Sequence, residues 1–202
     1  MSDYYYTPNP EVEHAETEWE FTLGNTTLRF HSDNGVFSKR TVDYGSRVLI
    51  QNVDFQDLPA GAVLDLGCGY GPIGLFLAET HPDREFELVD VNQRALELAT
   101  RNAADNGLTN VTVATSDVYA GVAQSQYAAI VTNPPVRAGK AVVSAMITEA
   151  AAHLVPAGRL SVVLQKKQGA PSAERLMQQT FGNVRVLKRD KGYYVLESTK
   201  QS

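Results

Sequence analysis

Ten consecutive residues, Asp65-Leu66-Gly67-Cys68-Gly69-Tyr70-Gly71-Pro72-Ile73-Gly74, constrain this chain more than any other stretch. They follow a short apolar run, Ala62–Leu66, and precede an apolar helical pattern, Pro72–Thr80, with proline near the first turn, where its missing N–H does no harm. Strand, glycine loop, helix is the opening unit of an α/β fold. The same alternation then repeats. Phe86–Val89, Val111–Thr115, Ala128–Thr132 and Leu160–Leu164 read as strands. Asn92–Asn106, Lys140–Leu154 and Ser172–Phe181 read as helices, the first capped by Asn92 and stopped by Asn106-Gly107, the second ended by Pro156-Ala157-Gly158. Val184–Lys188 and Tyr193–Glu197 form a terminal pair. Such alternation predicts a Rossmann-like, mainly parallel seven-stranded sheet with an antiparallel C-terminal strand, covered on both faces, with ligands outside the carboxyl ends of its strands.

Upstream, Trp19–Gly24 and Thr27–Ser32 alternate apolar and polar residues around Gly24-Asn25, the pattern of a hairpin. A helix follows over about 41–53, weakened by Gly45. The expected organisation is an acidic leader over 1–18 and one domain over 19–202. Within that domain, 19–60 form an N-terminal extension and 61–202 the core.

Composition excludes several function classes. The chain has 202 residues, 43% of them apolar, enough for one self-sufficient core. Cys68 is its one cysteine, so no internal disulfide or paired-cysteine zinc site exists, and His14, His31, His81 and His153 lack ligand spacing. No metal is expected. No apolar run reaches bilayer length and the start is not a signal peptide, which leads us to expect a cytoplasmic protein without a membrane partner; the sequence leaves its oligomeric state open, with a monomer slightly favoured. The net charge of −5 is carried by residues 1–20, which hold six acids and no Lys or Arg. The remaining 17 acids and 18 bases leave the body at +1. A near-neutral body can still bind nucleic acid through local clusters.

Gly69, Gly71 and Gly74 satisfy G-x-G-x-x-G, a weak dinucleotide signal when alone. Asp65 decides against a pyrophosphate. A carboxylate entering the loop favours a cationic ligand such as an ammonium or a sulfonium. Asp90 ends the second core strand, where it can accept both hydroxyls of a ribose. Asp117, after Ser116, ends the third and can accept from an adenine amino group. Three acids in step at successive strand ends outweigh three unrelated loop aspartates.

With these acids, the D-x-G-x-G-x-G loop resembles that of the class I S-adenosylmethionine-dependent methyltransferases. The resemblance implies S-adenosyl-L-methionine as cofactor, with Asp65, Gly67 and Gly69 around its methionine part, Asp90 and Val91 at the ribose, Asp117 and Val118 at the adenine, and Asn133 at the edge of the site. Asn133-Pro134-Pro135-Val136 is similar to the N-P-P-aromatic motif of methyltransferases acting on planar nitrogen. Such a nitrogen has its lone pair delocalised. Two acceptors, the Asn133 side-chain oxygen and the Pro134 carbonyl, would bind its N–H groups and turn the lone pair toward the methyl, and the prolines keep them aimed. These two are the expected catalytic residues. The fourth position is Val136 where relatives often carry an aromatic, so Phe37 becomes the candidate stacking partner. Gly35-Val36-Phe37-Ser38, Asp43, Gly45-Ser46, the segment 133–140 and the segment 165–170 together resemble the small-domain methyltransferases, a group that includes ribosomal small-subunit RNA guanine-N2 methyltransferases.

Bases cluster in three segments: Lys39, Arg40 and Arg47; Arg137 and Lys140; Lys166 and Lys167. Such a rim suits phosphate contacts. The resemblance implies as acceptor a guanine amine in ribosomal RNA or the small ribosomal subunit, with Phe37, Pro135, Val136, Arg137 and Lys140 touching substrate. The alternatives are a protein glutamine amide or small-molecule nitrogen as acceptor, a nicotinamide-dependent oxidoreductase, and a non-catalytic cofactor-binding RNA module. A serine hydrolase lacks its G-x-S-x-G.

Overall fold

The computed structural model describes residues 7–8, 12–124 and 126–202. Its main sheet comprises β3 (Val63–Leu66), β4 (Phe86–Asp90), β5 (Val111–Thr115), β6 (Tyr127–Thr132), β7 (Leu154–Gln165), β8 (Arg185–Asp190) and β9 (Tyr193–Thr199). Their order across the sheet is β5-β4-β3-β6-β7-β9-β8, and β9 alone runs antiparallel to its neighbours. Every residue of β3 and β6 is buried, as expected of parallel strands covered on both faces. The chain leaves β3 toward β4 and β5, then returns to β6 on the other side. The carboxyl ends of β3 and β6 therefore flank the crevice where strand order reverses.

A separate two-stranded sheet, β1 (Thr17–Leu23) and β2 (Thr26–Ser32), is the expected hairpin, with Trp19 opposite Phe30 and Phe21 opposite Leu28. Its inner face packs on α2 (Pro72–Thr80), where the Phe30 and Phe76 ring centroids lie 5.9 Å apart. Seven residues of α2, Pro72–Ala78, are buried between hairpin and sheet, so this helix is apolar nearly all round. The outer edge of β2 is bonded by a helix. Asn102 and Asn106, four apart on α3 (Gln93–Asp105) and at its C-cap, accept from His31 N (2.7 Å) and Arg29 N (2.9 Å) and donate to the carbonyls of the same residues. Four residues of helix rise about 6 Å, close to the spacing of alternate residues on a strand. The two amides thus imitate a paired strand.

Several boundaries differ from expectation. The helix expected over 41–53 is α1 (Tyr44–Asn52), started by Asp43, whose carboxylate accepts from Ser46 N. Gly45 is no accident: a Cβ there would lie 2.8 Å from Tyr193 Cε1. The helix expected over 140–154 divides at Glu149 into α4 (Lys140–Thr148) and α5 (Ala150–His153), and it stops at His153 because Leu154 already pairs with Tyr127. Pro156-Ala157-Gly158 ends no element. It lies within β7 at a register shift, with Ala157 N donating to Lys200 O and Lys200 N to Gly158 O. The last helix, α6 (Ala170–Phe181), begins two residues earlier than expected.

The acidic leader falls partly outside the described residues, Asp3 and Glu11 among them. Residues 13–16 are exposed, yet they are tied down. Asp33 accepts from Ala15 N and meets His14 at 2.6 Å, and Arg94 donates to Val12 O.

Candidate active site

At the crevice between β3 and β6 lies a cavity of about 300 Å³, lined by Val36, Phe37, Asp43, Ser46, Gly67–Tyr70, Asp90, Asn92, Asn133–Arg137, Gln165, Gln168 and Tyr193. Its two halves are built differently.

The first half is the glycine loop and its acids. Asp90 accepts from Gly69 N (2.8 Å) through one carboxylate oxygen and from Asn92 N (3.0 Å) through the other. Burial raises its carboxyl above the usual range, and these backbone N–H groups pull it back. Gly69 sits at φ 57, and a Cβ there would meet nothing within 4 Å, so the backbone faces open space. Asp65 does not line the cavity. It is fully buried beneath the loop, where one oxygen accepts from Gly74 N (2.8 Å) and the other, Oδ1, has no partner. Burial first, and the Asp90 charge after it, push its carboxyl up to about 7, against the opposing bond from Gly74. An uncompensated buried carboxylate is costly, and a proton or a positively charged ligand group would satisfy it. A small hollow beside the cavity is lined by Gly67, Asp90, Val91, Ser116 and Val118. Val118 holds φ 50, unusual for a β-branched residue. Ser116 Oγ fixes this by donating to Val118 O and accepting from Gly121 N. Asp117 is exposed and does not line the hollow.

The second half is the loop after β6. Asn133 donates from Nδ2 to Asp43 Oδ2 (3.0 Å) and to Ser46 Oγ (3.1 Å). Pro134, Pro135, Val136 and Arg137 line the cavity beside it. Phe37 lines it too and is 46% exposed, the one large apolar side chain so open among the described residues. The segment carrying Phe37 is folded over the glycine loop. Tyr70 donates to Ser38 O and Thr41 O, Asn92 donates to Gly35 O, and Trp19 Nε1 donates to Lys39 O. Sequence reasoning missed Tyr193, an aromatic wall brought in by β9. Its packing against Gly45 leaves no local trace in sequence.

The basic rim is brought together in part. Arg137 lines the cavity, while Arg40, Lys166 and Lys167 are exposed. Lys140 lines a neighbouring groove of about 510 Å³ between α4 and α6, which shares Val136, Leu164 and Gln168 with the cavity and adds Arg175. Arg47 does not belong to the rim. Its guanidinium lies over the Tyr44 and Phe21 rings, at 4.9 and 5.6 Å from their centroids. Lys39 is half-buried and donates to Asn34.

Among the described residues, no group of three or more His, Cys, Asp or Glu could hold a metal ion, and no helix is long and apolar enough to cross a membrane. Cys68 is buried, and burial pushes its thiol well above the ordinary value, the state of an inert thiol.

Residues 27–197 match the sequence model of the family described as Methyltransferase small domain. An uncharacterized protein of Bacillus subtilis, YbxB, is 47% identical over 99% of this chain and 100% of its own length. The Ribosomal RNA small subunit methyltransferase C of Pasteurella multocida is 37% identical over 79% of this chain and 48% of its own. Among solved structures, the 16S rRNA N2 methyltransferase RsmC of T. thermophilus, in complex with AdoMet and guanosine, superposes with a TM-score of 0.80 at 29% identity, covering 92% of this chain and 51% of that one. The chain spans about half the length of these ribosomal RNA methyltransferases.

Proposed function

The chain belongs to the methyltransferase small-domain family, a family of S-adenosylmethionine-dependent enzymes, and we propose that it methylates the 2-amino group of a guanine in ribosomal RNA. The observation that carries this reading is the Asn133 carboxamide, whose nitrogen is engaged by Asp43 and Ser46 while its oxygen has no such partner. A side chain held that way is an acceptor for an amine.

The residues of the first half fit the cofactor. Asp65 Oδ1 is buried beneath the loop without a partner on a carboxyl raised to about 7, and the ammonium and sulfonium charges on the other side of the loop would favour its ionised form. Asp90 faces the cavity and would accept from the ribose hydroxyls, with Val91 beside it. Gly67 and Gly69 leave room around the methionine part, and Val118 would border the adenine. The exposed Asp117 would reach the adenine amine only from outside the hollow. When bound, S-adenosylmethionine supplies an electrophilic methyl group.

The chain's own residues do the rest. Asn133 Oδ1 and the Pro134 carbonyl accept the two N–H groups of the guanine amine, which turns its lone pair out of conjugation. As the nitrogen becomes acidic on alkylation, its departing proton is held at Asn133 Oδ1 until solvent takes it, so no charged base is required. Pro135 and Val136 pack against the base, and Phe37 or Tyr193 supplies an aromatic face. Arg137, Lys140, Lys166 and Lys167 hold phosphates, and the α4–α6 groove continues the path of the strand with Arg175. The superposition with an RNA guanine enzyme supports this choice of acceptor.

Mass spectrometry of nucleosides from ribosomal and transfer RNA of cells with and without the protein tests the proposal. Loss of N-methylated guanosine from small-subunit RNA is the expected result. Unchanged RNA alongside a lost methyl on a protein glutamine would transfer the activity to the amide acceptor.

A further inference from the structure

We infer that Asp43 is a positioning residue for Asn133: it holds the carboxamide in the one orientation that can receive the acceptor amine. The inference rests on the methyl-transfer reading and adds to it a function for the N-terminal extension.

A primary amide can sit either way round in a given site, and the two orientations present opposite chemistry to a ligand. Here the choice is forced. An ionised carboxylate offers only acceptors, so the group facing Asp43 Oδ2 at 3.0 Å must be the amide nitrogen. The flipped amide would set one oxygen against another, with a negative charge on one of them. Ser46 Oγ, 3.1 Å from the same nitrogen, takes the second hydrogen. Both donors of Asn133 are thereby engaged, and Oδ1 is left as its free acceptor. The bond to an anion also draws electron density in the amide toward Oδ1, strengthening that acceptor where positive charge develops on the attacking amine.

The spacing of Asp43, Gly45 and Ser46 follows from this geometry. Asp43 caps α1, so its carboxylate is fixed by Ser46 N at 3.2 Å. Ser46, at the third position of the helix, is thereby set beside the same amide. A Cβ on Gly45 would lie 2.8 Å from Tyr193 Cε1 and 3.0 Å from Asp43 Oδ2. Any side chain there would displace the carboxylate, the aromatic wall, or both.

The bland alternative is that Asp43 is only a helix cap, and substitutions separate the two. Asp43→Ser keeps a good N-cap but is too short to reach Asn133. Asp43→Asn keeps both an acceptor for Asn133 and a cap. With the full chain and small-subunit RNA, Asp43→Ser is expected to melt near the wild-type temperature and bind S-adenosylhomocysteine normally. Its KM for RNA should change less than about threefold while kcat falls on the order of 10²-fold, the scale of a misplaced reacting group. Asp43→Asn, which offers an acceptor but also an NH2 group that admits the flipped amide, should recover only part of that loss. Ser46→Ala, which leaves the cap intact, should show a smaller fall in kcat alone. The side-chain amide signal of Asn133 in a ¹H–¹⁵N spectrum, identified by its absence in Asn133→Ala, should move in Asp43→Ser and Ser46→Ala and by a smaller amount in Asp43→Asn. Wild-type kcat and an unmoved amide signal in a folded Asp43→Ser would reduce Asp43 to a cap and overturn the inference. If the wild type methylates no RNA, the acceptor proposal fails, and the amide signal still decides the role of Asp43.

Discussion

The two halves of the cavity are held by bonds of very different reach. On the cofactor side, Asp65 bonds Gly74 nine residues away and Asp90 bonds Gly69 across 21. On the acceptor side, Asn133 is held by Asp43 and Ser46 across 90 and 87 residues. The first half is thus held mainly by consecutive strand ends, with Tyr70 and Asn92 tying residues 35–41 over it. The second exists only when the N-terminal extension is docked on the core. Cofactor binding and turnover should accordingly be separable.

The largest effect is expected on the first half. Asp90→Ala removes the acceptors proposed for the ribose and also frees Gly69 N and Asn92 N, which Asp90 now ties. At roughly 1.5–3 kcal/mol for each charge-assisted bond, two lost bonds weaken S-adenosylmethionine by about 3–6 kcal/mol in calorimetry. A loss under tenfold would break the assignment of Asp90.

Next is Asn133→Ala, expected to lower kcat on the order of 10²–10³-fold, the scale of one lost oriented polar group, with cofactor affinity nearly unchanged. A matching collapse of cofactor affinity would show that the halves are one unit.

A pH titration sharpens the comparison from the cofactor side. The Asp65 carboxyl is raised to about 7 in the folded chain, from an ordinary 3.8. In the cofactor-free protein its protonation therefore adds stability that is complete below about pH 4 and is lost as pH rises through about 7. A cationic ligand favours the ionised form. Cofactor affinity should then be about tenfold weaker at pH 6 than at pH 8, and level above that. Asp65→Asn should flatten this dependence. A wild-type affinity independent of pH would remove Asp65 from the cofactor's surroundings.

The smallest effect is expected at the rim. Reversing Arg137 and Lys140 should weaken RNA binding for every sequence tested and lower the log–log salt slope by about 1.5, for two lost phosphate contacts, while leaving cofactor affinity alone. Filter binding at several salt concentrations measures it. A salt-independent wild-type affinity would count against RNA as the acceptor.

This difference in reach also explains what could be read in advance. The glycine loop, Asp90 and the loop after β6 act through residue types placed within a few positions of a strand end, where apolar runs and glycines announce themselves. The acceptor side resists such reading. Tyr193 becomes a wall only because β9 inserts beside β7 and Gly45 lets the ring approach. Asp43 and Ser46 were visible as a motif without a role, because the role lies on a partner 90 residues away. Arg47 read as a rim charge until two aromatic rings, Tyr44 and Phe21, claimed its guanidinium. Pro156-Ala157-Gly158 has the composition of a terminator, yet Ala157 N donates to Lys200 O and Gly158 O accepts from Lys200 N, just past the end of β9. Except for the Arg47–Tyr44 contact within α1, a contact distant in sequence overrode a local preference in each failure.

The asparagine pair that closes the edge of β2 has a consequence in time. The hairpin can form from its own residues, but Asn102 follows His31 by 71 residues. At about 5–20 residues per second of synthesis, roughly 4–14 s separate the two on the ribosome. Until Thr80 completes α2, the hairpin's apolar face, with Trp19, Phe21 and Phe30, is uncovered, and the outer edge of β2 stays unpaired until α3 follows. The nascent extension therefore waits with one strand edge and one greasy face open, and this protein's need for protection during synthesis should end when α3 emerges.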